Sequence, residues 1–136
     1  MKALIDTGFL LAVLDADDAL HPACREIFLA EREPLLPDVV LPELAYLVLR
    51  ELGYAALTKF LRSVANGELR VVRLEVGDLT RTAELLDRYS DGGVDFVDCC
   101  IVALSERLGL DRILTVDRRH FGLFRPRHRS HLTLLP

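Results

Sequence analysis

The sequence predicts an α/β fold, a three-layer α/β/α sandwich with a mainly parallel central sheet, on three observations. Short apolar runs of strand character alternate with longer stretches of helical periodicity. Two of those runs stop at a carboxylate, Asp6 and Asp117, which is where ligands gather in open parallel sheets. The 136 residues are half apolar, enough to bury the core of one domain spanning 1–136, with no room for a second.

Each element has its own justification. Leu4 and Ile5 close a first strand at Asp6, and Thr7 stands where it would cap a helix over residues 9–14, with Asp6 as the other candidate cap. Residues 21–31 read as a second helix, Pro22 being tolerated in its first turn. Pro34 and Pro37 break the pattern around a very short strand, Leu35-Leu36. Leu41, Leu44, Ala45, Val48 and Leu52 then recur at helical spacing as far as Gly53. Another helix runs over 54–65 to the Asn66-Gly67 turn, followed by a third strand at 69–72. A helix over 78–89 leads through Asp91-Gly92-Gly93 to one over 96–108, which Gly109 ends. Residues 113–116 are a clear strand, and 132–135 a last short one. There is no internal repeat, linker or low-complexity segment.

Composition narrows the class. A carboxylate at position 6 interrupts the only candidate signal run, and no uncharged apolar stretch reaches the roughly 20 residues needed to cross a bilayer, so the reading is a soluble cytoplasmic protein without a membrane segment. Cys24, Cys99 and Cys100 form no C-x-x-C pair and read as buried free thiols. The net charge of −4 hides an asymmetry: residues 107–136 hold seven arginines against two acids, a balance of +5, which leaves −9 on residues 1–106. That pattern suits a cationic rim beside an acidic site, although C-terminal arginines are equally at home on a solvated surface.

The chemistry lies in four acids. Asp6 and Asp117 end strands, Asp98 opens an otherwise apolar helix, and Glu43 sits between Pro42 and Leu44 near the start of another. Carboxylates grouped at the edge of a core repel one another unless a cation neutralises them, and oxygen ligands without a neighbouring His or Cys favour Mg2+ or Mn2+ over zinc. Each acid also has a purely structural reading as a helix cap, a dipole partner or a turn former, and Asp95 is a natural N-cap for the helix that carries Asp98.

With those residues in view, the chain resembles the PIN-domain family, and within it the VapC-type toxins of toxin–antitoxin pairs. The resemblance runs along nearly the whole chain. It rests on Leu4-Ile5-Asp6-Thr7, Leu41-Pro42-Glu43-Leu44, Asp95-Phe96-Val97-Asp98 and Ile113-Leu114-Thr115-Val116-Asp117-Arg118-Arg119-His120-Phe121, in this order and spacing. It implies that Asp6, Glu43, Asp98 and Asp117 are the metal-site acids, with Thr7 and Thr115 as polar helpers. Asp95 stands at a position of small polar residues, as a further acid or only a cap. The resemblance further implies metal-assisted hydrolysis of RNA leaving a 5′-phosphate and a 3′-hydroxyl, a homodimer, and a VapB-like antitoxin that blocks the site. Arg118, Arg119, Arg125, Arg127 and Arg129 are candidates to hold the RNA backbone, and Phe121 and Phe124 to stack on bases or, more simply, to pack in the core.

Competing readings fare worse. Asp6-Thr7-Gly8 also suits an aspartic protease, but those are almost wholly β. Haloacid dehalogenase-like phosphatases need an Asp at position 8, which is Gly, and receiver domains need an acidic pair and a late Lys, whereas the lysines are Lys2 and Lys59. Still open on sequence are a non-catalytic RNA- or protein-binding module and an RNA-processing or DNA-directed nuclease outside any toxin system.

Overall fold

Ala3, Leu4 and Ile5 are fully buried because the strand they form lies at the centre of the sheet, covered on both faces. The computed structural model describes residues 2–136. In chain order it comprises β1 (Lys2–Ile5), α1 (Thr7–Leu14), α2 (His21–Ala30), β2 (Glu33–Pro37), α3 (Val40–Leu52), α4 (Tyr54–Ala65) and β3 (Arg70–Val72). There follow α5 (Val76–Arg88), a 3-10 turn at Ser90–Gly92, α6 (Phe96–Leu108), β4 (Arg112–Leu114), α7 (Arg118–Phe121) and β5 (Thr133–Leu135).

The strand order is β3-β2-β1-β4-β5, and every pairing is parallel. The chain starts in the middle, winds outward through β2 to β3, then crosses back over β1 to β4 and β5. Right-handed crossovers therefore place the helices between β1 and β3 on one face and α5 and α6 on the other. The contacts agree: α1 packs on α2 and α3, α3 on α4, and α5 on α6. The predicted three-layer sandwich is the observed one. Connections leave β1 and β4 in opposite directions, so their carboxyl ends flank the crevice that such sheets use for ligands.

α6 is the most buried helix, with Cys99 through Ser105 all inside, and each fully buried large apolar side chain of this kind contributes roughly 1.5 to 3 kcal/mol. Gly109 ends it at φ +69°, a left-handed position that a Cβ would oppose. Ion pairs from Arg81 to Glu106 (2.7 Å) and from Arg107 to Asp78 (3.0 Å) tie α6 to α5. No described helix is long and apolar enough to cross a membrane.

The structure corrects several expectations. The cap of α1 is Asp6 and not Thr7: the Asp6 carboxylate accepts the Thr7 N–H at 2.8 Å. β2 is longer than the expected pair and includes both prolines. Pro34 is paired only with β1 and Pro37 only with β3, so each faces a neighbour on one side alone, which lets a donor be missing. β4 stops at Leu114, two residues before the predicted end, because Thr115 and Val116 turn toward Asp117. The short α7 was not anticipated; Arg118-Arg119-His120-Phe121 has too few residues to show an apolar period.

Candidate active site

Three acids meet at the carboxyl ends of β1 and β4. Asp6 leaves β1 in extended backbone and caps α1, and it is only 7% exposed. The Thr115 hydroxyl, just past β4, donates to its second oxygen at 2.8 Å. Thr115 Oγ1 also accepts the Asp117 N–H at 2.9 Å, so one fully buried hydroxyl fixes Asp6 and Asp117 relative to each other. Asp98, also 7% exposed, arrives from the opposite helical layer in the first turn of α6. Asp95 caps that helix by accepting the Asp98 N–H at 2.8 Å.

The electrostatics are those of carboxylates crowded together in a buried corner. Burial pushes the Asp6 carboxyl up to about 6, against the hydrogen bonds from Thr115 and Thr7, and the charges of Glu43 and Asp117 add to the rise. Burial pushes Asp98 up to about 7, with further repulsion from Asp95, Asp6 and Asp117. Asp117 behaves differently. Burial raises it, but the His120 N–H (3.0 Å), the His120 ring (2.7 Å) and the Arg119 charge outweigh that and hold it below the ordinary carboxylate range. Glu43 stands in the exposed first turn of α3 and joins the group through its charge on Asp6.

His120 is the site residue that sequence reasoning missed, and it corrects the expectation of a cluster with no His nearby. Ligand atoms of Asp98, Asp117 and His120 all lie within 4.8 Å of one another. The signal was the spacing Asp117 to His120, three residues apart, which brings two side chains together only if a helix forms there. Thr7 Oγ1 is buried without a hydrogen-bond partner beside this cluster's Asp6. Desolvated, mutually repelling oxygens with one imidazole suit a hard divalent cation, so these residues fit a metal. The free thiols do not compete for it: Cys99 is buried, and burial together with the charges of Asp98 and Asp95 pushes it up to about 12.

A protein-family model described as PIN domain matches residues 3–123. The chain belongs to the PIN-domain family. Ribonuclease VapC26 of Mycobacterium tuberculosis is 32% identical over 134 residues, which is 98% of this chain and 99% of that protein. Among solved structures, Mycobacterium tuberculosis VapC20, described as a Sarcin-Ricin loop cleaving toxin, superposes with a TM-score of 0.76 at 22% identity, over 82% of this chain and 86% of that one. The DNA-bound VapBC structure from Salmonella typhimurium gives 0.71 at 18% identity, over 98% and 96%. At those identities the two structures speak for the PIN fold alone.

Around the acids of this PIN domain the predicted cationic rim is partly committed elsewhere. Arg118 donates to the carbonyls of Leu134 (3.1 Å) and Pro136, and so fastens the C-terminal strand. Arg125 donates to the carbonyls of Gly122 and Phe124 (both 2.9 Å), and Arg127 pairs with Glu84 (2.8 Å). Arg129 donates to the His128 carbonyl at 2.8 Å. Arg119, exposed in α7, makes no side-chain hydrogen bond among the described residues. Phe121 and Phe124 are buried and pack against each other, with Tyr89 edge-on to Phe124, so they serve the core and are closed to bases.

Proposed function

We propose that residues 1–136 act as one domain, a Mg2+-dependent endoribonuclease in which Mn2+ can replace Mg2+, and that it is the toxin of a toxin–antitoxin pair working in the cytoplasm. The observation that carries this reading is the pair of buried carboxylates, Asp6 and Asp98, raised to about 6 and 7 by desolvation and by each other's neighbours. A fold keeps such a costly pair where a cation neutralises it. Membership of the PIN family and the likeness to a relative named as a ribonuclease support RNA as substrate.

Asp6, Asp98, Asp117 and Glu43 would hold the ion, with His120 steadying Asp117. A bound divalent ion supplies a hydrolytic nucleophile at neutral pH and offsets charge gathering on the phosphoryl oxygens. The chain's own residues do the positioning. Thr115 locks Asp6 against Asp117, the caps on α1, α6 and α7 fix three of the carboxylates, and the ties between α5 and α6 hold Asp98 to the rest. Arg119 is the cation free to meet an RNA phosphate, while Arg118 and Arg125 act by shaping the backbone beside it. The proposed partners are an RNA substrate, a second copy of the chain and a VapB-like antitoxin.

The test is cleavage of an end-labelled RNA pool with Mg2+, Mn2+ or EDTA by the native chain, Asp6→Asn and Asp98→Asn. Cuts that need the ion and vanish in both variants support the reading. An intact pool, or equal cutting by the variants, sinks it.

A further inference from the structure

Tyr89 ends α5 and is half-buried, although Ser90 and Asp91 beside it are exposed. It packs on the stretch just past α7. Its hydroxyl accepts the Arg125 N–H at 3.0 Å, and its ring stands edge-on to Phe124 with centroids 5.0 Å apart and the planes at 68°. Phe124 packs in turn on Phe121, the last residue of α7, at 5.9 Å. Two more approaches join the same segments. A Cβ built on Gly92 would lie 2.5 Å from Leu123 Cδ1, and one on Gly93 would lie 3.9 Å from His120 Nε2. The backbone of the α5–α6 connection therefore lies directly against α7 and the residues that follow it. A helix of four residues has too few hydrogen bonds of its own to hold its place, so its position is set by what it packs on.

We propose that Tyr89 is a positioning residue of the acid site: by fixing α7 against the α5–α6 connection, it sets where the Asp117–His120 pair stands relative to Asp98. The inference rests on the reading of that cluster as a metal site. The connection that begins at Tyr89 ends at the Asp95 cap of α6, whose first turn carries Asp98. α7 is capped by Asp117 and carries His120, whose backbone N–H (3.0 Å) and ring (2.7 Å) both meet the Asp117 carboxylate. Locking the two segments together thus locks the two halves of a group whose ligand atoms lie within 4.8 Å of one another. Core packing explains the ring of Tyr89 but not its hydroxyl. The bond to the Arg125 N–H lies at an exposed edge, where water serves a donor nearly as well, so it adds little stability. What it adds is direction, because it ties the end of α5 to one backbone position just beyond Phe124.

Tyr89→Phe keeps the ring and deletes the hydroxyl, and Tyr89→Leu loosens both contacts. Tyr54→Phe, on a ring that is 77% exposed, is the control. The ring nitrogen signals of His120, identified by their loss in His120→Gln, would be recorded by NMR without metal at one fixed pH. Mn2+ affinity would be measured by calorimetry on the same samples. The expected result is that the His120 signals move in both Tyr89 variants and stay put in Tyr54→Phe. The Mn2+ Kd should rise roughly 2- to 5-fold in Tyr89→Phe and roughly 10-fold in Tyr89→Leu, the low end of what outer partners of a metal site contribute, because Tyr89 acts at one further remove. Should Tyr89→Leu fail to fold, Tyr89→Phe decides alone. Unmoved His120 signals, or an unchanged Kd in the Tyr89 variants while the native chain binds Mn2+, overturn the positioning role and leave the metal reading standing. A native chain that binds no Mn2+ overturns both.

Discussion

In the metal-free protein, Asp6→Asn is expected to make the fold more stable at pH 8. Desolvation moves Asp6 from the ordinary 3.8 to about 6, close to two units, which at 1.36 kcal/mol each is about 3 kcal/mol of penalty on the ionised folded state. The group is 7% exposed, so solvent screening does not erase that figure. The sign follows from proton counts. Between about pH 4 and pH 6 the folded chain keeps a proton that the unfolded chain has released, so stability falls as pH rises through this window and the penalty is complete above it. Asparagine removes the charge and can still accept the Thr7 N–H. Its amide must face Thr115 where a carboxylate oxygen had accepted, a cost of about 1 kcal/mol. The net gain is then about 2 kcal/mol at pH 8, roughly 8 °C in Tm for a chain of this length, and it turns into a loss of about 1 kcal/mol near pH 4. Thermal melts in EDTA at both pH values measure it. Saturating Mg2+ should reverse the order at pH 8, because only the native site gains about 3 kcal/mol from an ion at 100 times its Kd. A native chain more stable than Asp6→Asn in EDTA at pH 8 would refute the claim that this carboxylate is electrostatically strained.

Four further outcomes follow from the same geometry. Thr115→Val leaves Asp6 and the Asp117 N–H without their shared partner, and should cost about 1 to 3 kcal/mol and roughly 10- to 100-fold in cleavage, with Thr115→Ser restoring most of both; a fully active Val variant would remove Thr115 from the site. His120→Ala should weaken Mn2+ binding roughly tenfold in a calorimetric titration, and an unchanged isotherm would show that Asp117 needs no support from the ring. Ion affinity should climb between about pH 5 and pH 8 as Asp6 and Asp98 lose their protons, with proton release visible as a dependence of binding heat on the buffer. Asp95→Asn keeps the cap on α6 but removes a like charge that raises Asp98, so the pH profile of cleavage should move to the acid side; a profile that stays put contradicts the assigned repulsion.

Much of the architecture was legible because it is written in spacing. The apolar period of α3, the Asn66-Gly67 turn after α4 and Gly109 at the end of α6 each act locally, and each did what its neighbours in sequence imply. What was illegible depends on partners far along the chain. Whether Pro34 and Pro37 interrupt a strand depends on which neighbour flanks each position, a matter of register with β1 and β3. Arg118 looks like a free cation until the C-terminal segment returns to offer it the Leu134 and Pro136 carbonyls, whereas Arg125 is held locally by the carbonyls of Gly122 and Phe124. Phe121 and Phe124, by contrast, follow the simpler reading of them and are buried in the core, with Tyr89 edge-on to Phe124. His120 entered only with α7, a helix too short to announce itself.

The sequence posed cap and ligand as rival explanations for each acid, and the geometry leaves the two compatible. Asp6 caps α1, Asp117 caps α7, Asp98 pairs with the Asp95 cap in the first turn of α6, and Glu43 stands in the first turn of α3. Four helix starts thus converge on the edge where β1 and β4 end. A helix start carries partial positive charge and unpaired N–H groups, worth roughly 0.3 to 1 kcal/mol to a nearby carboxylate. That is well short of the penalty on buried Asp6, so the caps cannot alone explain why the acids are gathered. What the caps provide is rigidity: a carboxylate with one oxygen bound to a helix backbone has few rotamers left to lose when an ion arrives. The caps therefore set where the acids sit, and the unrelieved charge is the reason to expect a cation.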